Sequence, residues 1–233
     1  MAAQKNEVSK AMFIFSIVYI LIFPILLLIL AGDWFWIQGW LFNIWFIVLG
    51  FSTVIYLYFK DPGLLAERFR RPGTGGEKGW DKYWLYIFLM LFIIWFVIIP
   101  LDAKRYVWTT YFPLWLEVIG GILLLPGLFF TFRALADNPY ASAEVRIQTE
   151  RKQHVVSTGV YGFVRHPMYL GGICYLIGAP MLLGSKYGVL LSILMVVFIV
   201  VRIIGEEKAL VEELEGYEYY KKKVKYRLVP HIW

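Results

Sequence analysis

Apolar runs near the length of a membrane span alternate with short polar segments along most of this chain. Six such runs stand out, at 11–31, 36–59, 83–101, 112–132, 167–184 and 187–203. Each is close to the ~20 residues a helix needs to cross a bilayer core. The last two are short, and Pro180 with Gly184-Ser185 makes them read as one tight hairpin. The pattern predicts an all-α, polytopic integral membrane protein with about six transmembrane helices.

Two polar segments carry patterns of their own. In the 60–82 loop, residues 63–71 read as a short amphipathic helix ended by Pro72. The following Gly73-Thr74-Gly75-Gly76 reads as a turn rather than a nucleotide loop, because no strand precedes it and no Lys-Ser/Thr closes it. Residues 206–226 read as helical on both sides of a break at Gly216. Ala209, Leu210 and Leu214 line one side, and Tyr217, Tyr220 and Val224 continue it. Such a segment suits a C-terminal cytoplasmic amphipathic helix at the headgroups, and equally a wall over a pocket. The expected organisation is an N-terminal transmembrane hairpin with its cytoplasmic loop, 1–82, followed by a core of transmembrane helices plus the C-terminal helix, 83–233.

Composition agrees with a membrane protein: 60% of the residues are hydrophobic and only 17% charged. Lysine and arginine number 2, 0, 6, 2, 5, 1 and 7 in the successive segments between the runs. That alternation predicts both termini and the basic loops in the cytoplasm. The net charge of +6 sits beside the spans, where anionic lipid headgroups lie, and forms no separate nucleic-acid-binding domain. The run from Ala11 to Ala31 is too long for a signal-peptide core and contains Pro24. Cys174 is the single cysteine, so no intrachain disulfide forms, and His154, His166 and His231 lack metal-ligand spacing. No metal is expected.

Ionisable residues concentrate after Arg133, and several stand at the ends of apolar runs, where they are costly and call for a functional reading. Pro167 biases His166 away from helix and makes a natural first helical position. The amides of Met168 and Tyr169 then lack helical partners, and a helix start of this kind receives carboxylates or phosphates. Arg165 and His166 add donors there. Arg202 and Glu206, four residues apart, share a helix face. They either form an ordinary ion pair or meet a ligand, with the Arg202 fork on a substrate carboxylate and Glu206 on hydroxyls or an ammonium. Glu207, about 100° further round, faces a different partner. Tyr161 and Tyr169 are either interfacial tyrosines or ring faces for a cationic centre such as a sulfonium.

These residues carry a family resemblance. HVVSTGVYGFVRHPMYLG, GAPMLLGS and RIIGEEKALVEELEGYEYYKKKVKYRLVP resemble the isoprenylcysteine carboxyl methyltransferases and their wider relatives, the phospholipid methyltransferases, over roughly residues 130–230. The loop DPGLLAER at 61–68 resembles one in bacterial members. The resemblance implies S-adenosylmethionine as cofactor in a cytoplasm-facing pocket and a lipophilic acceptor entering from the bilayer. By motif position, Gln148, His154, Val155, Val156, Tyr161, His166, Pro167, Met168, Tyr169 and Glu206 would line the cofactor. Arg202 would hold the substrate beside the sulfonium methyl, so that Arg202 and Glu206 form the catalytic pair. The acceptor expected is the carboxylate of an isoprenylated cysteine; phospholipid amine N-methylation and small-thiol S-methylation are variants. Beyond them stand a sterol-reductase-like NADPH enzyme and a non-enzymatic membrane protein. The sequence leaves the acceptor and the oligomeric state open.

Overall fold

The computed structural model describes residues 10–69 and 76–233, and these contain helices and no strand. The helices are α1 (Lys10–Ala31), α2 (Ile37–Lys60), α3 (Pro62–Arg68), α4 (Gly79–Pro100), α5 (Leu114–Asp137), α6 (Pro167–Leu183), α7 (Lys186–Glu213) and α8 (Tyr217–Lys223). Five of them are long and apolar enough to cross a membrane, and α6, at 17 residues, is a shorter apolar helix. The protein is therefore an all-α polytopic membrane protein, as the hydropathy pattern predicts.

Local sequence sets the element ends. The amphipathic helix expected at 63–71 forms as α3 but starts one residue earlier and ends at Arg68, short of residue 71, with Pro62 in its first turn and the Asp61 carboxylate accepting the Leu64 amide at 2.8 Å. Pro72 and Gly73-Thr74-Gly75 lie outside the described residues. Leu64 and Leu65 bury α3 against Leu57, Leu135 and Ala141. The α6–α7 hairpin turns at Gly184, whose φ of 77° is the left-handed conformation glycine favours, and Ser185 caps α7 through the Gly188 amide at 2.9 Å.

The chain α6–α7 packs on α5 and α4. Gly120 and Gly171 bring α5 and α6 together: a Cβ at Gly120 would lie 2.4 Å from the Leu182 nitrogen, and one at Gly171 2.7 Å from the Thr131 nitrogen. Small residues permit this approach in membrane bundles, where there is no hydrophobic drive between helices. The core is aromatic. Trp45 stacks on Tyr175 with centroids 5.1 Å apart, and its indole donates to the Leu124 carbonyl at 2.7 Å. Trp95 likewise donates to Ser192 at 2.7 Å.

Two features position the site. First, α7 does not stop at residue 203 but continues to Glu213, so Arg202, Glu206 and Glu207 project from one uninterrupted rod. Second, the chain breaks at Gly216, where φ is 83°, and turns into α8 as expected. The tail beyond α8 then folds back onto the start of α6, where Tyr226 and Arg227 carbonyls each accept an amide, of Arg165 and of His166, at 2.9 Å.

Candidate functional site

At the start of α6 the two polar motifs of the sequence meet. Glu207 is buried and meets three side chains: the Arg165 guanidinium through Nε at 2.5 Å, the Arg227 guanidinium through Nε at 2.7 Å and the His166 imidazole through Nε2 at 3.3 Å. Arg165 also donates to the Val224 and Lys225 carbonyls at 2.8 and 2.7 Å. Arg165 and Glu207 therefore bolt the C-terminal tail to the start of α6, and Arg165 also lines the cleft described below. Glu206, one residue earlier, is only half-buried and accepts the Tyr169 hydroxyl at 2.6 Å. The two adjacent glutamates do face different partners.

Arg202 and Glu206 are not paired with each other. The Arg202 fork lies on Asp81, in the first turn of α4, with Nε–Oδ1 2.8 Å and Nη2–Oδ2 3.0 Å. It also donates to the Ala143 carbonyl at 2.6 Å and stacks over the Trp84 ring at 4.4 Å and the Tyr169 ring at 5.8 Å. The other Asp81 contact, to the Val145 amide at 2.7 Å, ties α4 to the loop between α5 and α6.

Around Glu206 opens a cleft of about 880 Å³, counting its open mouth. His154, Val155, Val156, Tyr161, His166, Pro167, Met168, Tyr169 and Glu206, all singled out from the sequence, line it. Gln148 and Arg202 do not. Gln148 is wholly buried, donates to the Tyr140 carbonyl at 2.9 Å and accepts from Arg151 at 3.0 Å, which braces the loop behind the cleft. Tyr217 and Tyr220 of α8 and Leu210 and Leu214 beside it supply a wall that the sequence left undecided between headgroup surface and pocket. Tyr220 donates to the Tyr161 carbonyl at 2.7 Å. The Tyr217 hydroxyl is buried without a partner among the described residues. Burial pushes the phenols of Tyr161, Tyr217 and Tyr220 up, so all three keep their protons at neutral pH.

Three further residues belong to this end of the molecule: Glu67 and Arg68 of α3, which the sequence offered only within the DPGLLAER resemblance and with no role, and Asp81, which the motif reading did not reach. Glu67 accepts Arg146 at 2.9 Å. Arg68 donates, at 3.5 Å, to the carbonyl of Ala141 and, at 3.8 Å, approaches the Met168 sulfur. Burial, and then the like charge of Arg202, lower the Arg68 guanidinium from its ordinary value. A sequence signal existed for both: Arg68 falls at i+4 from Leu64 and i+3 from Leu65, on the buried face of α3, and Asp81 stands alone at the head of an apolar span.

The fold and the cleft thus define an integral membrane protein, built of helices and no strand among its described residues, with a cleft at one end of its bundle. Residues 115–216 match the phospholipid methyltransferase family. The chain is 35% identical over 107 residues to the protein-S-isoprenylcysteine O-methyltransferase of Schizosaccharomyces pombe, and 33% identical over 110 residues to that of Saccharomyces cerevisiae. These alignments cover 45% of both chains and 46% of both chains respectively, so the chain spans about half the length of the curated relatives it matches. The solved structure of the eukaryotic intramembrane Ras methyltransferase ICMT (isoprenylcysteine carboxyl methyltransferase) superposes with a TM-score of 0.51 at 19% identity, covering 94% of this chain and 85% of that one. The resemblance carried by the motifs is upheld by all three likenesses, with the solved structure speaking for the fold.

Proposed function

We propose that the protein transfers a methyl group from S-adenosylmethionine to the carboxylate of a lipophilic acceptor, an isoprenylated cysteine or a molecule like it. The observation that carries the reading is the cleft at the start of α6, where Tyr169 and Glu206 meet at 2.6 Å beside His166. The names of the matched relatives point to the same chemistry.

The residues present fit the cofactor. Its zwitterionic amino acid needs both an anion site and an acidic partner, and the amides of Met168 and Tyr169 at the α6 start, with Glu206 opposite, provide these. Its adenosine needs an apolar slot with polar ends, which suits Val155, Val156 and Leu210. The partnerless Tyr217 hydroxyl would gain a hydrogen bond on loading. When bound, S-adenosylmethionine supplies a sulfonium methyl carbon to which a carboxylate oxygen bonds while the C–S electron pair stays with sulfur.

The chain's own residues then have defined tasks. Tyr169 and Tyr161 present ring faces to a cationic centre. Glu206 holds the polar groups of the cofactor and, through Tyr169, the ring's orientation. Arg202 fixes Tyr169, Trp84 and the Ala143 loop in one arrangement, the kind of positioning that lowers a displacement barrier by ~7–11 kcal/mol. No side chain has to remove a proton, because a carboxylate arrives ionised. The cleft lies at the end of the bundle that carries the basic 60–82 and 133–165 loops, so it opens to the cytoplasm.

The test is thermal stability of the detergent-purified protein with S-adenosylhomocysteine or NADPH. Ligand at ~100 times its dissociation constant should stabilise by about 2.7 kcal/mol. A shift with the adenosyl compound and none with NADPH is expected; a shift with NADPH alone, or with neither, would sink the reading.

A further inference from the structure

Most arginines and lysines around the cleft are paired with a carboxylate. Arg202 is matched by Asp81, Arg146 by Glu67 and Glu150, Arg165 by Glu207, and Lys78 by Glu213. Arg68 is the exception: among the described residues it has no carboxylate partner, only the long contacts to the Ala141 carbonyl and the Met168 sulfur, both neutral. Those two contacts place its guanidinium behind the cleft wall, since Ala141 and Met168 both line the cleft. Arg202 reaches the same loop at the Ala143 carbonyl, two residues on. Two guanidiniums thus flank one short loop segment, and only one of them is neutralised.

An unmatched guanidinium in a half-buried place is destabilising, the more so beside a second cation. Its planar fork has five donors suited to a carboxylate. An arriving carboxylate would relieve both the repulsion and the unmet donors. Arg202, the residue the motif suggests for that task, already has its fork on Asp81. We propose that Arg68 of α3 receives the carboxylate of the methyl acceptor, making this short helix a determinant of acceptor charge. The inference rests on the methyl-transfer reading and refines it: the substrate class is an anion, not an amine or a neutral lipid. It also gives the N-terminal part of the chain, which lies outside the family match at 115–216, a share in specificity.

The experiment compares binding of N-acetyl-S-farnesylcysteine and of its carboxamide to the full chain in detergent with S-adenosylhomocysteine present. Wild type, Arg68→Met and Arg68→Lys are measured in parallel. Loss of a charge-assisted contact of this type weakens binding about tenfold or more. The wild type should therefore prefer the acid by about tenfold. R68M should erase that preference by losing acid affinity alone, with amide and S-adenosylhomocysteine affinities kept. R68K, which keeps the charge but not the fork, should fall between. If R68M does not fold, R68K decides: undiminished acid binding overturns the assignment. Equal preference for the acid in wild type and R68M overturns it too, as does a wild type that binds acid and amide alike, which a lipid-phosphate anchor would give. A wild type that binds neither analogue overturns the methyl-transfer reading beneath it.

Discussion

The two ends of the helical bundle treat buried charge in opposite ways. At the end away from the cleft, Asp102 is wholly buried in the turn after α4. It accepts the Thr109 amide at 2.8 Å and hydroxyl at 2.9 Å, the Ser185 hydroxyl at 2.6 Å and the Tyr187 amide at 3.3 Å. Every one of those donors is neutral and comes from a connecting loop or the head of α7, so the carboxylate closes that end and nothing is left over. At the cleft end, saturated and unsaturated groups stand side by side. Glu207 is held by two guanidiniums and an imidazole, whereas Glu206 has one phenol, and among the described residues Arg68 has no carboxylate and the Tyr217 hydroxyl no partner. Completed networks mark architecture here; incomplete ones coincide with the cleft to which the proposed function assigns the ligands.

That contrast can be broken or sharpened by substitution. The largest effect on folding belongs to Glu207→Ala, which strands Arg165 and Arg227 inside the protein. Breaking a buried pair costs about 3–5 kcal/mol, read as a large fall in melting temperature together with protease sensitivity of the tail after α8. Asp102→Ala should cost about 1.5–3 kcal/mol, the range for hydrogen bonds to a charged group, while affinity for S-adenosylhomocysteine stays at the wild-type value. An Asp102 variant that lost affinity without losing stability would contradict the division of labour.

Glu206→Gln should do the converse. It should weaken S-adenosylhomocysteine binding about tenfold by calorimetry, with a melting temperature close to wild type. The smallest effect is expected at Lys78→Ala. Its pair with Glu213 at the cleft rim has side chains 31% and 41% exposed, and such pairs contribute at most about 1 kcal/mol. Its melting curve should overlay that of the wild type.

What was legible in the sequence follows the same line. Hydropathy placed the spans, because a bilayer imposes length and apolarity on each segment by itself. The break at Gly216 was legible because a left-handed turn asks for glycine locally. The separate partners of Glu206 and Glu207 followed from helical periodicity alone. Spacing put Arg202 and Glu206 on one helix face and read the stretch from 206 to Gly216 as helical, but that this helix is the uninterrupted continuation of the last apolar run was not legible. Nor was the Asp81–Arg202 pair, which joins residues 121 apart. Which helix faces which is a property of the bundle, set by close approaches such as that of Gly120 to Leu182. The same holds for Arg68, whose place beside Met168 depends on where α3 docks.

The central claim is that the cleft at the start of α6 serves methyl transfer to an acidic lipid. The most direct measurement is transfer of label from methyl-labelled S-adenosylmethionine to N-acetyl-S-farnesylcysteine by the purified protein, with base-labile label scored as methyl ester. The account predicts base-labile product that forms with the acid, is absent with its carboxamide, and falls sharply in Glu206→Gln. Label on an amine or a thiol but none on the acid, or undiminished ester formation by the Glu206 variant, would contradict it.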